Sequence, residues 1–164
     1  MNKKIIITIP IIALAVIGVV AWGYGNSSGL AQTQSNRSSS LTASEALYDF
    51  GTISMANGKV SHLFHITNPT DKDIKINKIE TSCMCTNAYF INGDAKDGPF
   101  GMPGMGGSSE AHEVIPAHGT RDIEAVYDPN AHGPSGVGDI DRTIDVGEKN
   151  GGTLQLEIKA VVTP

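Results

Sequence analysis

Two cysteines stand one residue apart, Cys83 and Cys85, and the chain has no others. In an extended strand, positions i and i+2 point to the same face. Their Cα atoms would then lie about 6.6 Å apart, near the outer limit for a disulfide. A flat strand therefore disfavours a bond, whereas a bend at this point allows one. Two thiols on one face can also chelate one soft metal ion, again with local bending. Outside the cytoplasm, exposed thiols oxidise unless they are paired, metallated or buried. Three readings stay open: a buried pair of small hydrophobes, a metal-ligating pair and a redox-active pair.

Other residues could join them. His62 and His132 would complete a Cys/Cys/His/His set suited to zinc. Met84, Met102 and Met105 add thioethers, which favour copper(I). Each has a plain alternative. His62 lies on an apolar strand face, where a partly buried core histidine is ordinary. His132 follows Asn130 in a turn, and Met102 and Met105 could be apolar plugs holding a flexible loop to the domain. His112 and His118 read as solvated, and His65 points away from His62 and is excluded. Catalysis finds little support. There is no nucleophile elbow, no His-Glu-x-x-His and no phosphate-binding Gly/Lys pattern. Asp139, Asp141, Asp94 and Asp97 lack the full calcium-loop spacing and read as turn and surface residues.

The elements that must position these residues are short and β-like. Tyr48 to Ile53 forms a first strand, ended by Met55-Ala56-Asn57-Gly58, whose Asn-Gly pair is a turn signal. Lys59 to Thr67 follows, with Val60, His62, Phe64 and Ile66 on the inward phase. Ile74, Ile76 and Ile79 mark a third strand and Ala88 to Ile91 a fourth. Arg121 to Tyr127, Ile140 to Val146 and Leu154 to Val162 complete the set. Seven strands separated by turns predict an all-β, antiparallel immunoglobulin-like β-sandwich over residues 47–164. Phe50, Phe64, Ile66, Ile76, Val126, Ile144 and Leu156 are the expected core. Residues 92–118 read as one long Gly/Met-rich loop, a length usually functional or disordered. In an up-and-down sandwich, alternate connections share an end. The Cys83–Cys85 connection, the Asp128–Gly138 connection and the start of the second strand then converge, which brings His132 and His62 toward the thiols.

Ahead of the domain, Lys3 and Lys4 precede Ile5 to Trp22, eighteen residues without a charge. That run exceeds the usual secretory core of about 7–15 residues and meets the lower limit of about 17 for a bilayer span. It predicts an uncleaved, single-pass membrane anchor within residues 1–25. The positive-inside rule leaves the rest of the chain outside the cytoplasm. A cleaved signal peptide is the competing reading, with small residues placed for cleavage in Ala21-Trp22-Gly23 and Gly29-Leu30-Ala31. No cysteine follows the run, so a lipid-modified N-terminus is excluded. Residues 26–46 are Ser-rich and predict a flexible tether. The formal net charge of −5 excludes a basic nucleic-acid footprint.

Several of these segments together resemble a known family. Tyr48-Asp49-Phe50-Gly51-Thr52-Ile53 matches its opening strand. Gly58-Lys59-Val60-Ser61-His62 and Phe64-His65-Ile66-Thr67-Asn68 match its second. Thr81-Ser82-Cys83-Met84-Cys85-Thr86 matches its Ser-Cys-x-Cys-Thr signature, with Met84 where glycine is common, and Pro116-Ala117-His118-Gly119 stands at its Pro-Gly turn. The sequence resembles, over about residues 47–163, the bacterial immunoglobulin-like domain of unknown function numbered 1573, related to Hydin-type and major-sperm-protein sandwiches. The resemblance implies a sandwich fold, export or membrane anchoring, and no enzyme activity. The expected function is that of a non-enzymatic, membrane-tethered binding or assembly domain with a possible protein partner. The alternatives are soft-metal binding, copper(I) or zinc, through Cys83, Cys85 and nearby His or Met, and thiol redox chemistry at the same cysteines.

Overall fold

The protein is described here by a computed structural model covering residues 37–105 and 107–164. The expected membrane segment and most of the expected tether lie outside the described residues. Among the described residues no helix is long and apolar enough to cross a membrane.

Among the described residues, eleven strands build two sheets. In chain order they are β1 (Arg37–Ser38), β2 (Thr42–Ala43), β3 (Leu47–Ser54), β4 (Val60–Thr67), β5 (Ile74–Thr81), β6 (Thr86–Asn92), β7 (Ala95–Phe100), β8 (Glu110–Ile115), β9 (Thr120–Tyr127), β10 (Gly138–Glu148) and β11 (Gly152–Thr163). One sheet runs β1-β11-β10-β5-β8, with β3 also paired to β11, and the other runs β2-β4-β9-β6-β7. The fold is all-β, as the alternation predicts. The pairing is not wholly antiparallel, because β1 and β3 both run parallel to β11. The long β11 has β10 on one flank and β1 and β3 on the other.

Inward residues of both sheets meet in one core. Phe64, Ile66, Ile76, Ile144 and Leu156 are all at most 1% exposed. In β11 the predicted stripe of Leu156, Ile158, Ala160 and Val162 is buried. Two expected core residues differ. Phe50 is only half-buried, edge-on to Tyr48 at the rim of the core. Val126 stands on the outward phase of β9, whose buried residues are Ile123, Ala125 and Tyr127. Val126 is the more apolar of the adjacent pair, yet it is Tyr127 that turns inward.

Two further expectations are corrected. The expected loop 92–118 contains β7 and β8. A two-residue Gly93-Asp94 turn folds β7 back on β6 with Asn92 opposite Ala95, and Gly93 takes φ +61°. Five of the six β7 residues are exposed, so no apolar alternation marked it. In β8 the inward positions Ala111 and Ile115 flank Glu113, which interrupts the stripe. The expected tether ran to residue 46, yet its last residues lie on the sandwich. Leu41 is 3% exposed, and β1 and β2 pair with β11 and β4.

Candidate functional site

The chain crosses from one sheet to the other twice at the same end of the sandwich. Between β5 and β6 it turns through Ser82–Cys85, and between β9 and β10 it passes through Asp128–Val137. Register fixes their proximity. Thr86, opening β6, stands opposite Tyr127, closing β9. Thr81, closing β5, stands opposite Ile144 of β10.

The Ser82–Cys85 turn is held by backbone and side-chain hydrogen bonds together. Thr86 N–H donates to the Cys83 carbonyl at 3.1 Å, and Asp128 N–H donates to the Cys85 carbonyl at 2.8 Å. Thr81, 3% exposed, places its hydroxyl 3.0 Å from the Cys83 carbonyl and 2.9 Å from that of Thr86. On the outer side, Ser82 N–H donates to Thr143 O and Thr143 N–H to Ser82 Oγ. The result is a sharp bend. It brings the cysteine Cα atoms to 5.2 Å, inside the disulfide range, and Cys83 and Cys85 are bonded to each other.

Both sulfurs have polar company. His132 Nε2 lies 3.2 Å from Cys83 Sγ. A disulfide sulfur carries no hydrogen, so the imidazole N–H is the donor. Arg142 Nε–H donates to Cys85 Sγ at 3.3 Å. Cys83 is 9% exposed and Cys85 1%. His132 is exposed, and with Tyr127, Asp139 and Arg142 it lines a cleft of about 280 Å³. Burial pushes the Tyr127 hydroxyl above its ordinary value, against a smaller opposing pull from the Arg142 charge. It stays a neutral donor at physiological pH.

The ligand atoms of Cys83, Cys85 and His132 all lie within 4.8 Å of one another. His62 is engaged elsewhere and does not join them. Its ring stacks on Tyr48 at 3.6 Å and meets Phe64 edge-on, while Nε2 sits 2.6 Å from Glu45 Oε1. Being near the start of β4 puts His62 toward the right end, but its inward phase turns the ring into this aromatic stack. Met102 and Met105 occupy a turn closed by Met105 N–H donating to Met102 O, and Met105 is 56% exposed. The base of that loop is tied to the site's approach, since Thr81 N–H donates to Gly101 O. Met84, at the tip of the cysteine turn, is 48% exposed. His65 and His118 pair with Asp122 and Asp71.

Arg142 is the site residue that the sequence reading missed. Its signal was present. It occupies the inward phase of β10 between Ile140 and Ile144, both buried. A cation in an apolar stripe needs an acceptor at the end of its reach, and here that acceptor is sulfur.

Residues 41–99, which include β2 through most of β7 and both cysteines, match the family model described as protein of unknown function (DUF1573). Over this stretch the chain is similar to the DUF1573 family. The match starts six residues before the expected 47–163 resemblance and ends well short of it. Among curated proteins none matches. Among solved structures, a protein of unknown function from Porphyromonas gingivalis W83 aligns with TM-score 0.54 and 13% identity. That alignment covers 83% of this chain and 51% of the other, so the chain spans about half of that relative's length. The PapD-like domain 7 of human CEP192 aligns with TM-score 0.45 and 12% identity, over 77% of this chain and 87% of that one. WR4, an MSP family member of C. elegans, gives 0.42 and 12%, over 76% and 99%. At such identities the likeness concerns the fold alone.

Proposed function

We propose that this chain is a non-enzymatic, membrane-tethered binding module displayed outside the cytoplasm, and that its binding end is the Cys83, Cys85 and His132 cluster, which in its dithiol state holds one copper(I) ion. The observation that carries this reading is the 4.8 Å grouping of two sulfurs and one imidazole nitrogen. The thiolate, not the disulfide, is a metal ligand, so the site loads only after reduction. Ligand number and charge choose the metal. Structural zinc takes four protein ligands, and among the described residues this cluster offers three from His, Cys, Asp and Glu. Soft thiolates select copper(I). The Arg142 guanidinium beside Cys85 repels a divalent ion about twice as strongly as a monovalent one. The tether follows from Lys3, Lys4 and the uncharged run of Ile5 to Trp22.

The test is a copper(I) competition titration of the phosphine-reduced full chain against a chromogenic chelator. One equivalent is expected to bind. Cys83→Ser should abolish tight binding, because one of two thiolate donors is lost. His132→Ala should weaken it less than Cys83→Ser does, because one of three ligands is lost while both thiolates remain. His62→Ala and His65→Ala should leave it unchanged. Copper(I) binding that survives Cys83→Ser would overturn the assignment.

A further inference from the structure

The surroundings of the two sulfurs are unequal, and that inequality has a chemical direction. Cys83 is the less deeply buried, 9% exposed against 1%, and its sulfur adjoins His132, an exposed residue that lines the cleft. Cys85 is sealed inside. Its sulfur receives the Arg142 Nε–H at 3.3 Å and lies 3.8 Å from the Thr86 hydroxyl. In thiol–disulfide exchange the nucleophile takes the accessible sulfur and the other departs as a thiolate. A charge-assisted donor waiting at the departing sulfur stabilises that thiolate. Among the described residues Arg142 makes no salt bridge to a carboxylate. It also donates from Nη1 to the Asp141 carbonyl.

We infer that the Cys83–Cys85 disulfide is a two-electron acceptor for an external dithiol, with Cys83 as the sulfur attacked, Cys85 as the leaving sulfur and Arg142 as the residue that holds the departing charge. A thiolate of the partner dithiol attacks Cys83 Sγ. The Cys83–Cys85 bond breaks, and its electron pair stays on Cys85 Sγ beside Arg142. The partner's second thiolate then attacks its own sulfur in the mixed disulfide and expels Cys83 as a thiolate beside the His132 N–H. The partner is oxidised to a disulfide and this chain is reduced to a dithiol. The two protons released by the partner's thiols pass to the cysteines or to solvent. The partner class is thus a protein or small molecule carrying two vicinal thiols. Where the copper(I) reading holds, this exchange is the switch that opens the cation site; that consequence rests on the preceding section, and the exchange itself does not.

The experiment uses the full chain in the presence of a metal chelator. It is equilibrated anaerobically with defined ratios of reduced and oxidised dithiothreitol and read by alkylation and mass spectrometry. Arg142→Met should shift the exchange equilibrium toward the disulfide by about tenfold or more, the effect expected for losing a hydrogen bond to a charged group. Arg142→Lys should restore part of it, which a purely structural role would not. Independently, brief exposure of the unaltered protein to glutathione, followed by acid quenching and peptide mapping, should place the adduct on Cys83. An adduct on Cys85, or folded Arg142→Met with an unchanged equilibrium, would overturn the inference. A chain that exchanges with dithiothreitol but takes no copper(I) loses the metal reading alone. One that binds copper(I) after phosphine reduction yet shows no exchange loses this one alone.

Discussion

At the scale of single residues, the sandwich rests on a few side chains that neither sheet can spare. Phe64 is fully buried on β4 between the sheets and meets the His62 ring edge-on at 4.8 Å. Phe64→Ala removes its apolar surface and leaves a cavity that the surrounding strands cannot close. The expected loss is about 3–5 kcal/mol, a large share of the roughly 5–15 kcal/mol that holds a domain of this kind folded. Urea unfolding would read it as a lower midpoint; a loss under about 1 kcal/mol would show that β4 packs in another phase. This phase was readable because Val60, His62, Phe64 and Ile66 alternate with Ser61, Leu63, His65 and Thr67, of which only Leu63 is apolar. The phase of β9 was not, because Val126 and Tyr127 are adjacent and both can pass as core. The cysteine pair was readable as chemistry but not as geometry. Spacing gives the face of a straight strand, and the bend at Ser82–Cys85 is made by long-range partners, Asp128 and Thr143, that no local pattern announces.

Among the elements, the segment Ser39–Leu41 is fastened by one buried acid. Glu148, at the end of β10, is 3% exposed. Its Oε1 accepts from Ser39 Oγ at 2.6 Å, Ser40 N–H at 2.7 Å and Leu41 N–H at 3.3 Å. A side chain at position 152 would crowd it, since a Cβ there would stand 3.0 Å from the carboxylate. Burial pushes the Glu148 carboxyl up, but the donors of Ser39, Ser40, Asn150 and Leu41 outweigh it and leave its pKa below the ordinary value. A depressed folded value means that the stabilisation is complete above the unfolded pKa and is lost as pH falls through the folded one. Glu148→Gln should therefore flatten the acid limb of stability against pH relative to the unaltered protein. It should also speed amide exchange at residues 39–41 at neutral pH. Equal acid limbs in the two proteins would show that another carboxylate governs that pH range. Glu148→Ala should cost at least about 1.5–3 kcal/mol, the contribution of a hydrogen bond to a charged group. The serines were read as tether because low apolar content is all that sequence displays there. The acid that orders them lies more than a hundred residues away. The same blindness hid β7, an edge strand paired through its backbone with almost no buried side chain.

For the whole molecule, the charge and hydropathy of the two ends set the expected topology. The domain from residue 47 onward carries nine basic and sixteen acidic residues, so it faces water and gains nothing from an anionic membrane surface. The two lysines before Ile5 favour the cytoplasmic side, and Ile5 to Trp22 is long enough to remain in the bilayer. If the expected anchor holds the chain, the proposed dithiol partner and ion must reach the cysteine turn from the same side of the membrane. An oxidising exterior keeps Cys83 and Cys85 bonded by default, so a reduced, copper(I)-competent site there requires a reductant delivered to that side. The expected outcome is full-length protein in the membrane fraction, stripped of residues 47–164 when protease is added to spheroplasts. A soluble product starting near Tyr24 or Gln32 would replace the anchor with a cleaved signal while keeping export. Protection from external protease would put the domain in the cytoplasm, where thiols stay reduced and the disulfide would no longer be the resting state that a partner must open.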